Sequence, residues 1–163
     1  MINKKELLKE LKEKFEETKK NLGFKATYEE INSISYLEEM VFSQGYVSEQ
    51  FSRQMINRII EKYYSWLSEF YSWLYPQPPD AIHINESKKL SSEERKELLN
   101  LIERIMYLIR KNKRIVFEGL KKEVEGKFID ELVEFDKKYF TPILLKFNKK
   151  FEDSWKEEIS KEK

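Results

Sequence analysis

The longest apolar rhythm in the chain lies between Ser48 and Tyr75, where Ile56, Ile60, Tyr63, Leu67, Phe70 and Leu74 alternate at spacings of four and three. That alternation is the seam of a heptad-patterned α-helix. Within it Tyr64-Ser65-Trp66-Leu67 recurs seven residues later as Tyr71-Ser72-Trp73-Leu74. Tyr64 and Tyr71 flank the seam on one side and Ile59, Trp66 and Trp73 on the other, leaving Glu61, Lys62, Ser65, Ser68, Glu69 and Ser72 as a narrow polar strip. A helix apolar over most of its circumference has to be covered. At about 1.5 Å per residue it is about 42 Å long, so several partner helices are needed, from this chain or from another.

Shorter stripes precede it. Asn3 and Glu6 have capping-box spacing and open a helix that Gly23 closes in the left-handed conformation. Its apolar stripe is Leu8, Leu11, Phe15 and Leu22, widened by Leu7, and the opposite side carries Lys4, Lys5, Lys9, Lys12, Lys14, Lys19 and Lys20 among glutamates. This is a solvated outer helix whose narrow stripe also suits it to docking on a partner. Thr27 with Glu30 opens a second helix through Ile31, Ile34, Leu37, Met40 and Val41, which Gly45 closes. Ser48 is the cap of the central helix, and Pro76, Pro78 and Pro79 end it.

Residues 76–90 read as a linker, with Asp80-Ala81-Ile82-His83-Ile84-Asn85 extended along a groove. Ser91 with Glu94 opens the next helix, whose seam is Leu98, Ile102, Ile105, Ile109, Val116 and Leu120, with Asn112 inside it as a register device or a kink. Gly126, rather than Gly119, is expected to break that helix. Phe128, Leu132, Phe135 and Tyr139 form a fresh stripe, interrupted where Thr141 caps and Pro142 takes the first helical position. The last helix carries Leu144, Phe147, Phe151 and Trp155, and 160–163 form a frayed tail. The pattern as a whole predicts an all-α fold, a single antiparallel helical bundle of five or six helices over residues 1–163 with a long aromatic-rich central helix.

Composition narrows the chemistry. The chain has no cysteine, which excludes disulfides, thiolate zinc, iron–sulfur ligation and thiol nucleophiles. Its first ten residues alternate charge with leucine and contain no secretory apolar region, and no uncharged run approaches the roughly eighteen residues of a spanning helix. A cytoplasmic protein with no membrane partner is expected. Lys and Arg number 31 against 30 Asp and Glu, so no global field draws it to an anionic partner. Heavy Lys and Glu usage without Cys is also a thermophilic composition. Aromatic residues make up 14% of the chain, which points to a thick core, a large interface, or both.

Local charge is more informative. Between Ala26 and Gln50 the only charged side chains are Glu29, Glu30, Glu38, Glu39 and Glu49, a segment suited to pair internally with the lysine-rich first helix. Arg110, Lys111, Lys113 and Arg114, continued at Lys121 and Lys122, form the strongest basic cluster. Arg110, Arg114 and Lys121 share a helix face at steps of about 6 and 10 Å, a spacing suited to successive phosphates. The stretch Gly45–Arg53 has the turn glycine and capping serine of a helix-turn-helix, but Gln54 falls where an apolar residue is required and the following helix is too long for a reading head. Leu108-Ile109-Arg110-Lys111-Asn112-Lys113-Arg114-Ile115, after a long helix and a linker, is similar to the helical domain of GINS-type replication-factor subunits, over roughly a fifth of the chain and without any β-domain signal. What that similarity implies is a nucleic-acid-associated subunit.

Enzyme chemistry is not legible. With His83 alone, neither a di-iron Glu-x-x-His pair nor a zincin can form, and with glycine only at 23, 45, 119 and 126 there is no phosphate loop, dinucleotide fingerprint or nucleophile elbow. Glu38-Glu39 and Glu157-Glu158 are adjacent, hence splayed by about 100° on a helix. His83 beside Asp80 makes a poor metal site and a poor triad, and reads as a solvent-facing or packing side chain. No catalytic residue, cofactor or metal ligand is therefore named. The primary expectation is a helical interaction protein that self-associates or joins a larger assembly through Tyr64, Trp66, Tyr71 and Trp73. The alternative is a nucleic-acid-binding subunit contacting phosphates through Arg110, Lys111, Lys113, Arg114, Lys121 and Lys122. A ligand pocket lined by Tyr63, Trp66, Phe70 and Trp73 is held in reserve.

Overall fold

The computed structural model describes residues 3–162 and is all-helical, with no strand among them. The first two residues of the charged leader and the last of the expected frayed tail lie outside the described residues. In chain order the helices are α1 (Lys4–Leu22), α2 (Tyr28–Ser35), α3 (Leu37–Gln44), α4 (Phe51–Leu74), α5 (Ala81–Lys88), α6 (Ser92–Phe117), α7 (Lys122–Phe135), a π-helical turn (Asp136–Phe140) and α8 (Thr141–Lys161). None of the described helices is long and apolar enough to cross a membrane. The chain divides into two compact units, one of residues up to Lys62 with Leu108–Glu134, the other of Tyr63–Tyr107 with Phe135 onward.

In the first unit α1 is closed as its sequence dictates. Asn3 accepts from the Lys5 N–H, and Gly23, at φ 72°, donates its N–H to the Lys19 carbonyl. The buried stripe centres on Leu7, Leu11, Phe15 and Leu22, with Leu8 only half-buried. Phe15 anchors it, meeting Phe24 and Tyr28 edge-on at 5.6 and 5.4 Å between ring centroids. The link after α1 is held by Asp130 of α7, whose carboxylate accepts from the N–H groups of Lys25 and Ala26 at 2.9 Å. The acidic segment meets α1 through Lys14 and Glu49, 3.6 Å apart, while Glu30 completes the Thr27 capping box and Glu38 accepts from the Tyr28 hydroxyl.

Several expected elements differ. The single helix expected from Thr27 to Gly45 is two, broken at Tyr36, which adopts φ 54°. The break is stable because its backbone groups find other partners: Asn32 accepts from the Glu38 N–H, and Arg58 of α4 donates to the Ser35 carbonyl. The helix expected to end at Gly126 ends instead before Gly119, at φ 90°, and Leu120, at φ 53°. Gly126 lies inside α7, where a Cβ would stand 2.1 Å from the Leu22 carbonyl oxygen; its service is close approach of two backbones. The α6 seam passes through Ile115, which is buried, and leaves Val116 45% exposed. Asn112 does sit in that seam, buried, and accepts from the Arg53 guanidinium at 2.7 Å. Burial pushes the Arg53 pKa below its ordinary value, with the Glu125 carboxylate opposing the shift.

The second unit is built on aromatic side chains. Tyr63 and Phe70 of α4 meet Phe140 at 4.7 and 6.1 Å, and Trp73 meets Phe151 of α8 at 4.8 Å. The expected interruption at Thr141-Pro142 is absent: α7 runs through the π-helical turn into α8. Thr141 does not act as a cap; its hydroxyl donates to Asp136 at 2.6 Å, and the Tyr63 hydroxyl donates to the other oxygen at 3.1 Å. Asp136 is 1% exposed, so these donors meet a carboxylate that water cannot serve. The segment expected to be an extended linker forms α5, with Asp80 as its N-cap accepting from the His83 N–H. Arg95 of α6 ties α5 down by donating to the Ser87 carbonyl at 2.5 Å. The Ser91–Glu94 capping box is present, and Glu94 also receives Lys150 of α8 at 2.6 Å.

Candidate functional site

Two features of the second unit are open to chemistry or to a partner. The first is a groove of about 710 Å³ lined by Tyr64, Leu67, Ser68, Tyr71, Ser72 and Tyr75 of α4, Ile102 and Met106 of α6, and Gln77 and Asp80 between α4 and α5. Its tyrosines follow from the helix period: positions 64, 68, 71, 72 and 75 fall on one face. Tyr64, Tyr71 and Tyr75 are 67, 58 and 49% exposed, and the rings of Tyr71 and Tyr75 lie 5.0 Å apart. Among the described residues that line it, Asp80 is the only charged one.

The residues expected at an interface divide here. Tyr64 and Tyr71 line the groove. Trp66 is half-buried and stacked on Phe70 at 5.9 Å. Trp73 is 1% exposed and belongs to the core. The reserve pocket does not form from its four residues, because Tyr63, Phe70 and Trp73 are all core side chains. Tyr75, Ile102 and Met106 join the groove beyond the residues that the sequence points to; of these, Tyr75, four residues beyond Tyr71, has a signal in the sequence.

The second feature joins α4 to α5. Asp80 Oδ2 lies 2.5 Å from His83 Nδ1, and the far nitrogen, Nε2, faces Glu69 Oε2 of α4 at 3.3 Å. Three residues after His83, on the same side of α5, Glu86 is 9% exposed. One of its carboxylate oxygens accepts the Trp73 indole N–H and the other that of Trp155 of α8, each at 2.8 Å. One donor atom each from Glu69, His83 and Glu86 lie within 4.8 Å of one another. Burial pushes the His83 pKa down, but hydrogen bonds with Asp80 and Glu69 more than offset this and hold it above its ordinary value. The His83 backbone N–H and ring hold Asp80 below the usual carboxylate range. His83 is thus neither free in solvent nor a simple packing group. The i to i+3 spacing of His83 and Glu86 was legible only once 81–88 is read as a helix.

The basic cluster lies in the first unit, and half of it is engaged. Lys111 pairs with Glu131 and lies over the Phe128 ring, Arg114 pairs with Glu118 at 2.6 Å, and Lys122 donates to Asn21 at 2.8 Å. Arg110, Lys113 and Lys121 are exposed, with no carboxylate partner among the described residues. Comparison of the chain with family models, with curated proteins and with solved structures finds no significant match.

Proposed function

We propose that the protein is a helical interaction protein that pairs with a second copy of itself through the tyrosine groove of its second unit. The observation that carries this reading is the exposure of Tyr64, Tyr71 and Tyr75 along one face of α4 beside that groove. Large and small side chains alternate along that face, as Tyr64, Ser68, Tyr71, Ser72 and Tyr75. Two such rows running antiparallel about a two-fold axis near Ser68 bring Ser68 against its own counterpart and Tyr64 level with Ser72 of the other copy, a self-complementary arrangement of the kind a two-fold interface requires. Tyrosine and methionine with little charge is the composition of an interface centre, and a formal net charge of +1 leaves little repulsion between copies. In this reading the helices of each unit form an antiparallel bundle that acts as a rigid support.

Because the chain has no cysteine, Ser68→Cys introduces a single thiol per chain. Mild oxidation is expected to link this variant into a covalent dimer at micromolar concentration, whereas a thiol placed by Lys5→Cys, on exposed α1, stays uncoupled. Equal and slow coupling of both variants counts against the reading.

A second reading rests on the exposed Arg110, Lys113 and Lys121, which are free to contact a phosphate backbone. Arg110→Glu with Lys113→Glu should then remove salt-sensitive retention of a single-stranded oligonucleotide. Retention unchanged by the double variant, or absent from the parent protein, rejects it.

A further inference from the structure

Glu86 has an unusual position for a carboxylate. It is 9% exposed, and its hydrogen-bond donors are two neutral indoles, one to each oxygen. No Lys, Arg or His ion-pairs with it among the described residues. A buried carboxylate without a countercharge is costly, and each oxygen retains a further lone pair. The nearest groups of the cluster add to the negative charge: Glu69 lies across from it, and Asp80 stands behind His83.

His83 is arranged as a ligand would be. Asp80 takes the Nδ1 side of the ring at 2.5 Å, and the far nitrogen, Nε2, faces Glu69 at 3.3 Å, where a cation would take the place of the proton shared between them. A carboxylate behind the ring, with the far nitrogen turned toward a further carboxylate, is the outer-shell arrangement of metal-binding histidines. The Nε2 to Oε2 separation of 3.3 Å matches the edge of a tetrahedron with metal–ligand bonds of about 2.0–2.1 Å. The three donor atoms lie within 4.8 Å of one another, so closure on one ion needs a carboxylate to swing inward by about an ångström. The elements that carry them are fixed independently: α5 by its Asp80 cap and by Arg95, and Glu86 by two tryptophans.

We propose that Glu69, His83 and Glu86 bind a divalent transition-metal cation of the zinc type, with Asp80 as the positioning residue behind His83 and a coordination position left to water. One imidazole with two carboxylates suits zinc and its neighbours better than magnesium or calcium, which favour oxygen ligands alone. The cation supplies the countercharge that Glu86 lacks.

The test is a Zn2+ titration of the untagged, chelator-treated full chain, followed by calorimetry and tryptophan fluorescence. Binding is expected at one ion per chain, with a fluorescence change because Trp73 and Trp155 both donate to a ligating carboxylate, and with reversal by chelator. Millimolar Mg2+ should not displace it. His83→Gln and Glu69→Gln should each weaken binding at least 100-fold, and Asp80→Asn by about 10- to 100-fold while leaving stoichiometry intact. Glu69 is the more exposed ligand, so Glu69→Gln remains informative if His83→Gln disturbs α5. No binding below about 100 μM Zn2+, equal competition by Mg2+, or unchanged affinity in both ligand variants overturns the proposal.

Discussion

Gly126 places no side chain between α7 and the end of α1, and its lack of one sets how closely the two backbones approach. A methyl group there would stand 2.1 Å from the Leu22 carbonyl oxygen and 2.9 Å from its carbon, both backbone atoms with no rotamer to change. Gly126→Ala must therefore displace the end of α1 and is expected to cost about 1–3 kcal/mol, read as a lowered urea midpoint with an unchanged slope. An unchanged midpoint would show that the two helices are free to move apart. In the sequence Gly126 and Gly119 are the same letter, and helix propensity favours neither as the break. What separates them is φ 90° at Gly119 and a neighbouring backbone at Gly126, and both are set by distant residues. Asn112 follows the same rule: a polar residue in an apolar seam was legible, but its partner Arg53 lies 59 residues away. His83 was legible as solitary, whereas Glu69 and Glu86 became its neighbours only through α5.

At the scale of elements, local signals were read well and tertiary ones poorly. The boxes of Thr27 with Glu30 and Ser91 with Glu94 involve residues three apart, so sequence alone specifies both partners. The break at Tyr36 depends on Arg58 of α4, and the uninterrupted passage from α7 to α8 on Tyr63 meeting Asp136, neither of which has a local signature. Helix α5 was obscured by the prolines before it, and its cap, Asp80, accepts from the His83 N–H only once the chain turns there. The second box has a measurable consequence. Burial pushes the Glu94 pKa up, but the Lys150 ammonium and the Ser91 N–H more than offset this and hold it below its ordinary value of 4.5. A folded value below the unfolded one gives stability that is complete above pH 4.5 and lost as pH falls through the folded value. Glu94→Gln should therefore be less stable than the parent by about 1 kcal/mol at pH 7, with the difference shrinking below pH 4. Paired urea titrations at the two pH values read this directly, and a difference that stays constant contradicts it.

For the whole molecule, the all-helical class was legible because the heptad and amphipathic periods are strong and no alternating strand pattern competes with them. Which face of α4 remains open was not. The heptad repeat treats Trp66 and Trp73 as equivalents of Tyr64 and Tyr71, yet Trp73 is claimed by Glu86, Phe147 and Phe151, residues that follow it by 13 to 78 positions. The tyrosine flank has no such claimants and stays exposed. The central claim is that this flank is covered by a second copy, and it is tested most directly by the solution mass measured by light scattering across a concentration series at low and high salt. The account predicts twice the chain mass of 19.9 kDa at micromolar concentration and at both salt levels, falling to a single chain in Tyr71→Arg, which sets like charges across the two-fold axis. A mass of 19.9 kDa throughout, or a dimer that survives Tyr71→Arg unchanged, would contradict it.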